Sequence, residues 1–451
     1  MLSATTAAPS WKQLLRYVIP AASAMVLFSL YTVIDGILVA HGVSESALTS
    51  VNISLPFINV LSGLSILLSM GASTLCAFAL GRGKKREAEE IFTQTVVVMV
   101  ILSAAITVGV LLFTEELALF LGAGPQTLEN AVTYLRIVSV FSVCFILSYC
   151  LEVMVKVDDS PVLATVGVAV AAVVHVGLAY VFIFHFHWGV AGSALATGLA
   201  QLCSLIVFLI YFVGGKSDLR FRKFRFQPKT LLRSLPLGVA DCSIEFMLGF
   251  LTVLYNNLLF LLFGESHQTI YAVIAYLSLL VFMVMQGIAQ GMMPLVSVAV
   301  GKGDRKAIRF YFLRSLVLVA GAEVLIVAAC LLLPQRFAAI LLSTDSPLFT
   351  QAVAALRQYA LSYLLAGINI LLAGFFTALG HGKASCLLSL SRGFVLLPAA
   401  ILVLSHLTGG QAIWIAALAG EGLSFVLGLV LLKRITASPA PLPAQEAEPA
   451  V

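Results

Sequence analysis

Long apolar runs joined by short polar segments dominate this chain. They fall near residues 15 to 40, 51 to 80, 92 to 113, 134 to 155, 161 to 184, 189 to 213, 234 to 262, 270 to 300, 311 to 333, 357 to 379, 385 to 406 and 411 to 432. A hydrocarbon core of about 30 Å needs roughly 20 apolar residues per helix, and each run supplies that length. The runs lack the two-residue alternation of a membrane barrel, so the pattern predicts helices. The expected fold is an all-α polytopic membrane protein with twelve transmembrane helices in two pseudo-symmetric six-helix bundles.

The halves echo one another. AFALGRGKKREAEEIF at 77 to 92 returns as VAVGKGDRKAIRFYF at 298 to 312, NAVTYLR at 130 to 136 as QAVAALR at 351 to 357, and ALATG at 194 to 198 as ALAGE at 417 to 421. A parallel repeat of this size is typical of secondary transporters, whose solute site lies between the halves. The expected organisation is an amino-terminal lobe over 11 to 213, a basic linker over 214 to 233, a carboxy-terminal lobe over 234 to 434 and a disordered tail over 435 to 451, where Pro and Ala accumulate without periodicity. The polar amino end and the long first run do not resemble a cleavable signal peptide.

Composition sharpens this picture. Hydrophobic residues make up 61% of the chain and charged ones 10%, with a mean hydropathy of +1.06, too little polar surface for a water-soluble globule. Lys and Arg outnumber Asp and Glu by 26 to 21. Nearly all of the basic residues fall on one side of the predicted spans, including the stretch KSDLRFRKFRFQPK at 216 to 229, while Arg136, Arg336 and Arg357 fall on the other. This is the positive-inside pattern, so both termini are expected in the cytoplasm, the charge marks topology rather than nucleic-acid binding, and the linker is expected at the anionic lipid surface. The seven cysteines lie in apolar spans without metal or redox spacing and are expected as small core residues.

Acids inside apolar spans are costly, which makes each a functional candidate. They are Asp35 in the first run, Glu152 in the fourth, Asp241 and Glu245 one turn apart in the seventh, Glu323 in the ninth and Glu421 in the twelfth. His175 in the fifth run and terminal residues such as Arg392, which can snorkel, are the candidates for positive charge. A carboxylate in such a place binds a proton, a sodium ion or an organic cation, and mutually exclusive occupancy couples an ion to a solute. Asp35 is the first choice, against the competing reading of a solvated helix-terminal acid. Glu245 is the second, with Asp241 nearer the entrance; Glu323 and Glu421 read equally as polar packing groups. Thr197 and Gln201, and Gln286 and Gln290, are candidate uncharged ligands, although a packing role is the stronger reading for each. Met25, Phe28, Tyr31, Met247, Phe250, Phe282, Met283 and Met285 form a loose group of adaptable cavity linings, although any one of them can equally face lipid or core. No phosphate-binding loop or metal-ligand cluster is present in the sequence, so no enzyme activity, cofactor or resident metal is expected.

The paired loops ALGRGKKREAE and AVGKGDRKAIR, VIDGILVA in the first run, MMPLVSVAVGKG in the eighth and WGVAGSALATGLAQ entering the sixth resemble the multidrug and toxic compound extrusion (MATE) family over residues 11 to 434. The resemblance implies a bacterial inner-membrane antiporter whose lobes rock between two states; a monomer is expected. It would export amphipathic, often cationic, compounds in exchange for protons or sodium. Residue by residue it assigns ion coupling to Asp35, Thr197 and Glu245, with Asp241 as an alternative register. Where the family commonly shows Asn followed four residues later by Asp, this chain has His175 and Ala179. Loss of a hard oxygen ligand and gain of an imidazole weaken a sodium shell, so protons are the expected coupling ion and Asp35 with His175 the expected site. A flippase for a lipid-linked precursor, a dedicated exporter of one endogenous metabolite and a non-transporting membrane receptor are the competing readings.

Overall fold

The structure, a computed structural model, describes residues 8 to 437 apart from 44, 126, 216, 265, 341 and 343. The described residues are helical nearly throughout, without a strand. Two compact units emerge. Unit 1 comprises residues 19 to 79 and 83 to 238, and unit 2 comprises residues 8 to 18, 80 to 82 and 239 onward. The long helices α1 (Trp11–Gly42) and α9 (Pro228–Phe263) each divide between the units, α1 after residue 18 and α9 after residue 238.

Besides most of α1, unit 1 contains α2 (Glu45–Gly81), α3 (Lys85–Leu112), the short α4 (Thr114–Phe120), α5 (Leu128–Val140), α6 (Ser142–Val157), α7 (Pro161–Tyr180), a π-turn (Val181–His185) and α8 (Gly189–Val213). Unit 2 repeats the order after α9: α10 (Ser266–Lys302), α11 (Arg305–Leu332), the short α12 (Pro334–Ala339), α13 (Phe349–Ala360), α14 (Tyr363–Ala378), α15 (Gly382–Ser391), a π-turn (Arg392–Leu396), α16 (Leu397–Leu407) and α17 (Ala416–Ala437). The duplication read from the loops therefore extends to irregular features, because each unit carries one short helix, one broken span and one π-turn in the same order.

Among the described residues, ten helices are long and apolar enough to cross a membrane. Two further spans are broken pairs, α5 with α6 bent by 50° and α13 with α14 bent by 42°, giving up to twelve. The apolar runs gave the fourth and tenth spans as continuous helices. The structure corrects this with breaks at Phe141 and at Leu361–Ser362, neither of which carries a proline that would have announced it. Residues 435 to 437, assigned to the tail from sequence, extend α17, and the tail from 438 lies outside the described residues.

Small residues let these helices approach closely, the main source of association where lipid is as apolar as the side chains. The buried face of α7 is Ala164, Gly167, Ala171, His175 and Ala179, spaced by three or four residues. Pro20 interrupts the backbone ladder of α1, and its carbonyl accepts a hydrogen bond from Thr165 Oγ1 at 2.7 Å, fastening α1 to α7. Where α2 meets α9, side chains are excluded altogether: a Cβ on Gly71 would overlap the carbonyl of Ser234, and one on Gly238 the carbonyl of Leu67.

The predicted linker is shorter than expected, since α9 begins at Pro228. Residues 217 to 227 form an irregular strap within unit 1 whose main chain is bonded to α3 and to Asp158. Asp158, just beyond α6, accepts from the N–H groups of Asp218 at 3.1 Å and Leu219 at 3.2 Å and from the Tyr211 hydroxyl at 2.7 Å. Gln94 exchanges two hydrogen bonds with the backbone of Gln227, at 2.9 and 3.0 Å, and Arg222 N–H donates to Thr93 Oγ1 at 3.1 Å. Burial pushes the Asp158 carboxyl above the usual carboxylate range, and hydrogen bonds from Ser217, Tyr211 and Asp218 pull it back. The strap's basic side chains remain exposed.

Candidate functional site

In unit 1 four of the residues singled out from sequence meet. His175 of α7 is 2% exposed at its side chain, and its Nε2 lies 3.4 Å from Oδ1 of Asp35 on α1. The same nitrogen lies 3.1 Å from Oγ1 of Thr197 on α8. Thr197 spends its own proton on the carbonyl of Ser193 at 2.9 Å, so its oxygen is left to accept from His175. The network thus assigns the ring proton to Nε2, which points between Thr197 and Asp35, while Nδ1 is buried without a partner among the described residues. Ser193, one turn before Thr197, donates to Asp35 Oδ1 at 3.2 Å. Tyr31, one turn before Asp35, places its ring 5.3 Å from the imidazole, and Phe28 stands edge-on to Tyr31 at 5.2 Å.

Sequence reading found Asp35, His175, Thr197 and Tyr31 but not Ser193. The only available signal was its four-residue spacing from Thr197, which puts both hydroxyls on one face. Gln201, offered as a further ligand, instead accepts from Ser148 at 2.7 Å and ties α8 to α6. Glu152 is not a free acid: Lys156, one turn on, bonds it at 2.7 Å, and both side chains are buried.

Unit 2 holds a second polar cluster. Gln286 donates to Oδ1 of Asp241 at 2.6 Å. Glu245 lies one turn further along α9, half-buried, and its carboxylate makes no hydrogen bond or ion pair among the described residues. Asp241 and Glu245, one turn apart on α9, therefore have different surroundings. Arg392 does not snorkel. It is 3% exposed, at the first position of its π-turn, and it grips Glu421 of α17 with Nε and Nη2 at 2.7 to 3.1 Å. Asn369 of α14 donates to the same carboxylate at 2.7 Å. A buried cation needs such a partner, whereas a terminal position near water would not. Of the proposed linings, Met247, Phe282, Met283, Met285, Gln286 and Gln290 are buried, Met25 is half-buried, and Phe28 and Phe250 are exposed.

The chemistry differs between the units. Unit 1 sets one carboxylate against one titratable imidazole and two hydroxyls, a group that can exchange a proton internally. The acids of unit 2 are largely engaged by guanidinium, amides and backbone.

The family model described as MatE matches residues 20–181 and 242–402, one block in each half. The multidrug export protein MepA of Staphylococcus aureus (strain NCTC 8325 / PS 47) is 22% identical over 428 residues, 94% of each chain. MepA of Staphylococcus haemolyticus (strain JCSC1435) is 24% identical over 394 residues, 85% of this chain and 86% of that one. Among solved structures, a crystal structure of MATE in the straight conformation superposes with a TM-score of 0.89 at 21% identity, covering 94% of this chain and 96% of that one. A crystal structure of MATE in the bent conformation gives 0.86 at 20% identity, covering 94% and 95%.

Proposed function

Because the chain belongs to the MatE family of multi-pass membrane transporters, we propose that it is a multidrug exporter exchanging amphipathic or cationic compounds for protons. Asp35 and His175 form the coupling site. The observation that carries this reading is the 3.4 Å approach of His175 Nε2 to Asp35 Oδ1, with Thr197 and Ser193 completing the shell. A sodium ion would require hard oxygens on several sides. Here one side of the carboxylate faces a ring N–H, which repels a metal ion and welcomes an anion.

The exchange works as follows. Ionised Asp35 attracts a cationic substrate into unit 1. A proton arriving from outside neutralises the carboxylate, removes that attraction and releases the cargo. Thr197 and Ser193 hold the imidazole and carboxylate in register, and Tyr31 with Phe28 offers aromatic faces to a lipophilic cation. Glu245 supplies a further acid in unit 2. The positive-inside pattern supports placement in a bacterial inner membrane with both termini cytoplasmic. The export activity named for the MepA relatives supports a broad substrate range.

Purified protein in proteoliposomes, with pH and sodium gradients imposed separately, tests the reading. Dye export driven by the pH gradient alone supports it, and export driven only by sodium rejects it.

A further inference from the structure

We propose that Glu323 is a second proton-binding carboxyl, lodged within unit 2, whose charge state sets how tightly the broken span α13/α14 is tied to α11. Glu323 sits in α11 and is 1% exposed. Its Oε1 accepts the backbone N–H of Gly367 at 2.7 Å and that of Ile368 at 3.1 Å, in α14 just past the 42° break. The side chain thus holds the first turns of α14, just past the bend, by their main chain.

Two features show that this contact is built in. Glycine at 367 leaves the carboxylate room to reach the main chain: a Cβ there would stand 2.6 Å from Oε1 and 2.8 Å from the Met285 side chain, and both side chains would have to shift. The charged groups facing Glu323 are Arg392 and Glu421, and the guanidinium is already held by Glu421 through contacts of 2.7 to 3.1 Å. Glu421 also takes the Asn369 amide at 2.7 Å. The one buried cation of the cluster is therefore spoken for, and only neutral amides hold the Glu323 charge. An acid so placed inside a membrane helix bundle is a proton-accepting position.

One proton from the aqueous phase adds to the carboxylate and yields the neutral acid, with no covalent bond of the protein broken. The charge-assisted hydrogen bonds to Gly367 and Ile368 become ordinary ones, roughly half as strong, and the break in α13/α14 is free to straighten or deepen. The consequence for transport rests on the proton-driven exporter reading; protonation of Glu323 itself does not.

Infrared difference spectroscopy between high and low pH, on protein in lipid nanodiscs, reads the carboxylic acid directly. The wild type and Asp35→Asn should both show a protonated-carboxyl band that is lost in Glu323→Gln. Hydrogen exchange of residues 361 to 368 should quicken on acidification in the wild type and lose its pH dependence in the variant. Gly367→Ala keeps the carboxyl but displaces it, so the midpoint pH of the band should shift even if Glu323→Gln fails to fold. Identical spectra with and without the Glu323 carboxyl, or an unmoved midpoint in Gly367→Ala, overturn the proposal. If vesicles show no proton-driven export by the wild type, the transporter reading fails and these spectra still decide the role of Glu323.

Discussion

The imidazole of His175 meets the carboxylate of Asp35 at 3.4 Å across two helices, α7 and α1, that Thr165 and the Pro20 carbonyl fasten together at 2.7 Å. This pair sets two titratable groups side by side within unit 1. Replacing Asp35 by Asn keeps the shape and the Ser193 hydrogen bond but removes the charge. Export driven by a pH gradient should fall to the protein-free background, and export within a few-fold of wild type would remove Asp35 from the mechanism.

Ala179, fully buried one turn beyond His175, shares its face of α7. The double variant His175→Asn, Ala179→Asp replaces the ring N–H with oxygen ligands on the same face of α7. It should lose pH-driven export and gain a response to an imposed sodium gradient. The comparison is of initial export rates in vesicles with one gradient at a time.

Arg392 and Glu421 are both almost wholly buried and hold each other bidentately. Removing one partner leaves an unpaired charge, so Arg392→Ala or Glu421→Ala alone should cost about 3–5 kcal/mol. The double replacement Arg392→Met, Glu421→Leu should recover most of that loss. Thermal unfolding of the detergent-solubilised variants, monitored by tryptophan fluorescence, checks both statements.

The strap over 217 to 227 depends on Asp158, whose carboxylate collects two backbone N–H groups and the Tyr211 hydroxyl. Asp158→Ala should free it and speed trypsin cleavage after Arg220, Arg222, Lys223 or Arg225 by about tenfold, corresponding to about 1.4 kcal/mol of lost local protection. In inside-out membrane vesicles the cut should occur, and in sealed cells it should not, if the strap is cytoplasmic.

Gly238 approaches the Leu67 carbonyl too closely for any side chain. Gly238→Ala should therefore shift α9 away from α2 and destabilise the protein by at least about 1–3 kcal/mol. Gly249, with open space around its Cβ position on the same helix, should tolerate Ala. Matched unfolding curves for the two variants would separate close approach from a general effect of removing glycine.

Much of this architecture was legible because a bilayer restricts what a chain can do. Continuous apolar length gives the spans, and a polar residue such as Asp35, His175 or Thr197 stands out against an apolar background. What crosses between helices is harder to read. Arg392 and Glu421 are 29 residues apart, and neither period nor spacing pairs them. The Glu152–Lys156 pair, at i and i+4, was in principle visible. The breaks at Phe141 and Leu361–Ser362 were not, because no Pro or Gly marks them and each sits in a stretch apolar enough to read as uninterrupted. Ser193 escaped notice since a lone serine in a membrane helix is common packing material.

The central claim is tested most directly by asking whether moving substrate moves protons. Vesicles containing the purified protein and a trapped pH-sensitive dye are given a gradient of a lipophilic cation and no ion gradient. The account predicts that the cation runs down its gradient while the internal pH changes in the sense of protons moving the opposite way, and that Asp35→Asn abolishes the pH change. Cation flux with no accompanying pH change, or an undiminished change in Asp35→Asn, would contradict it.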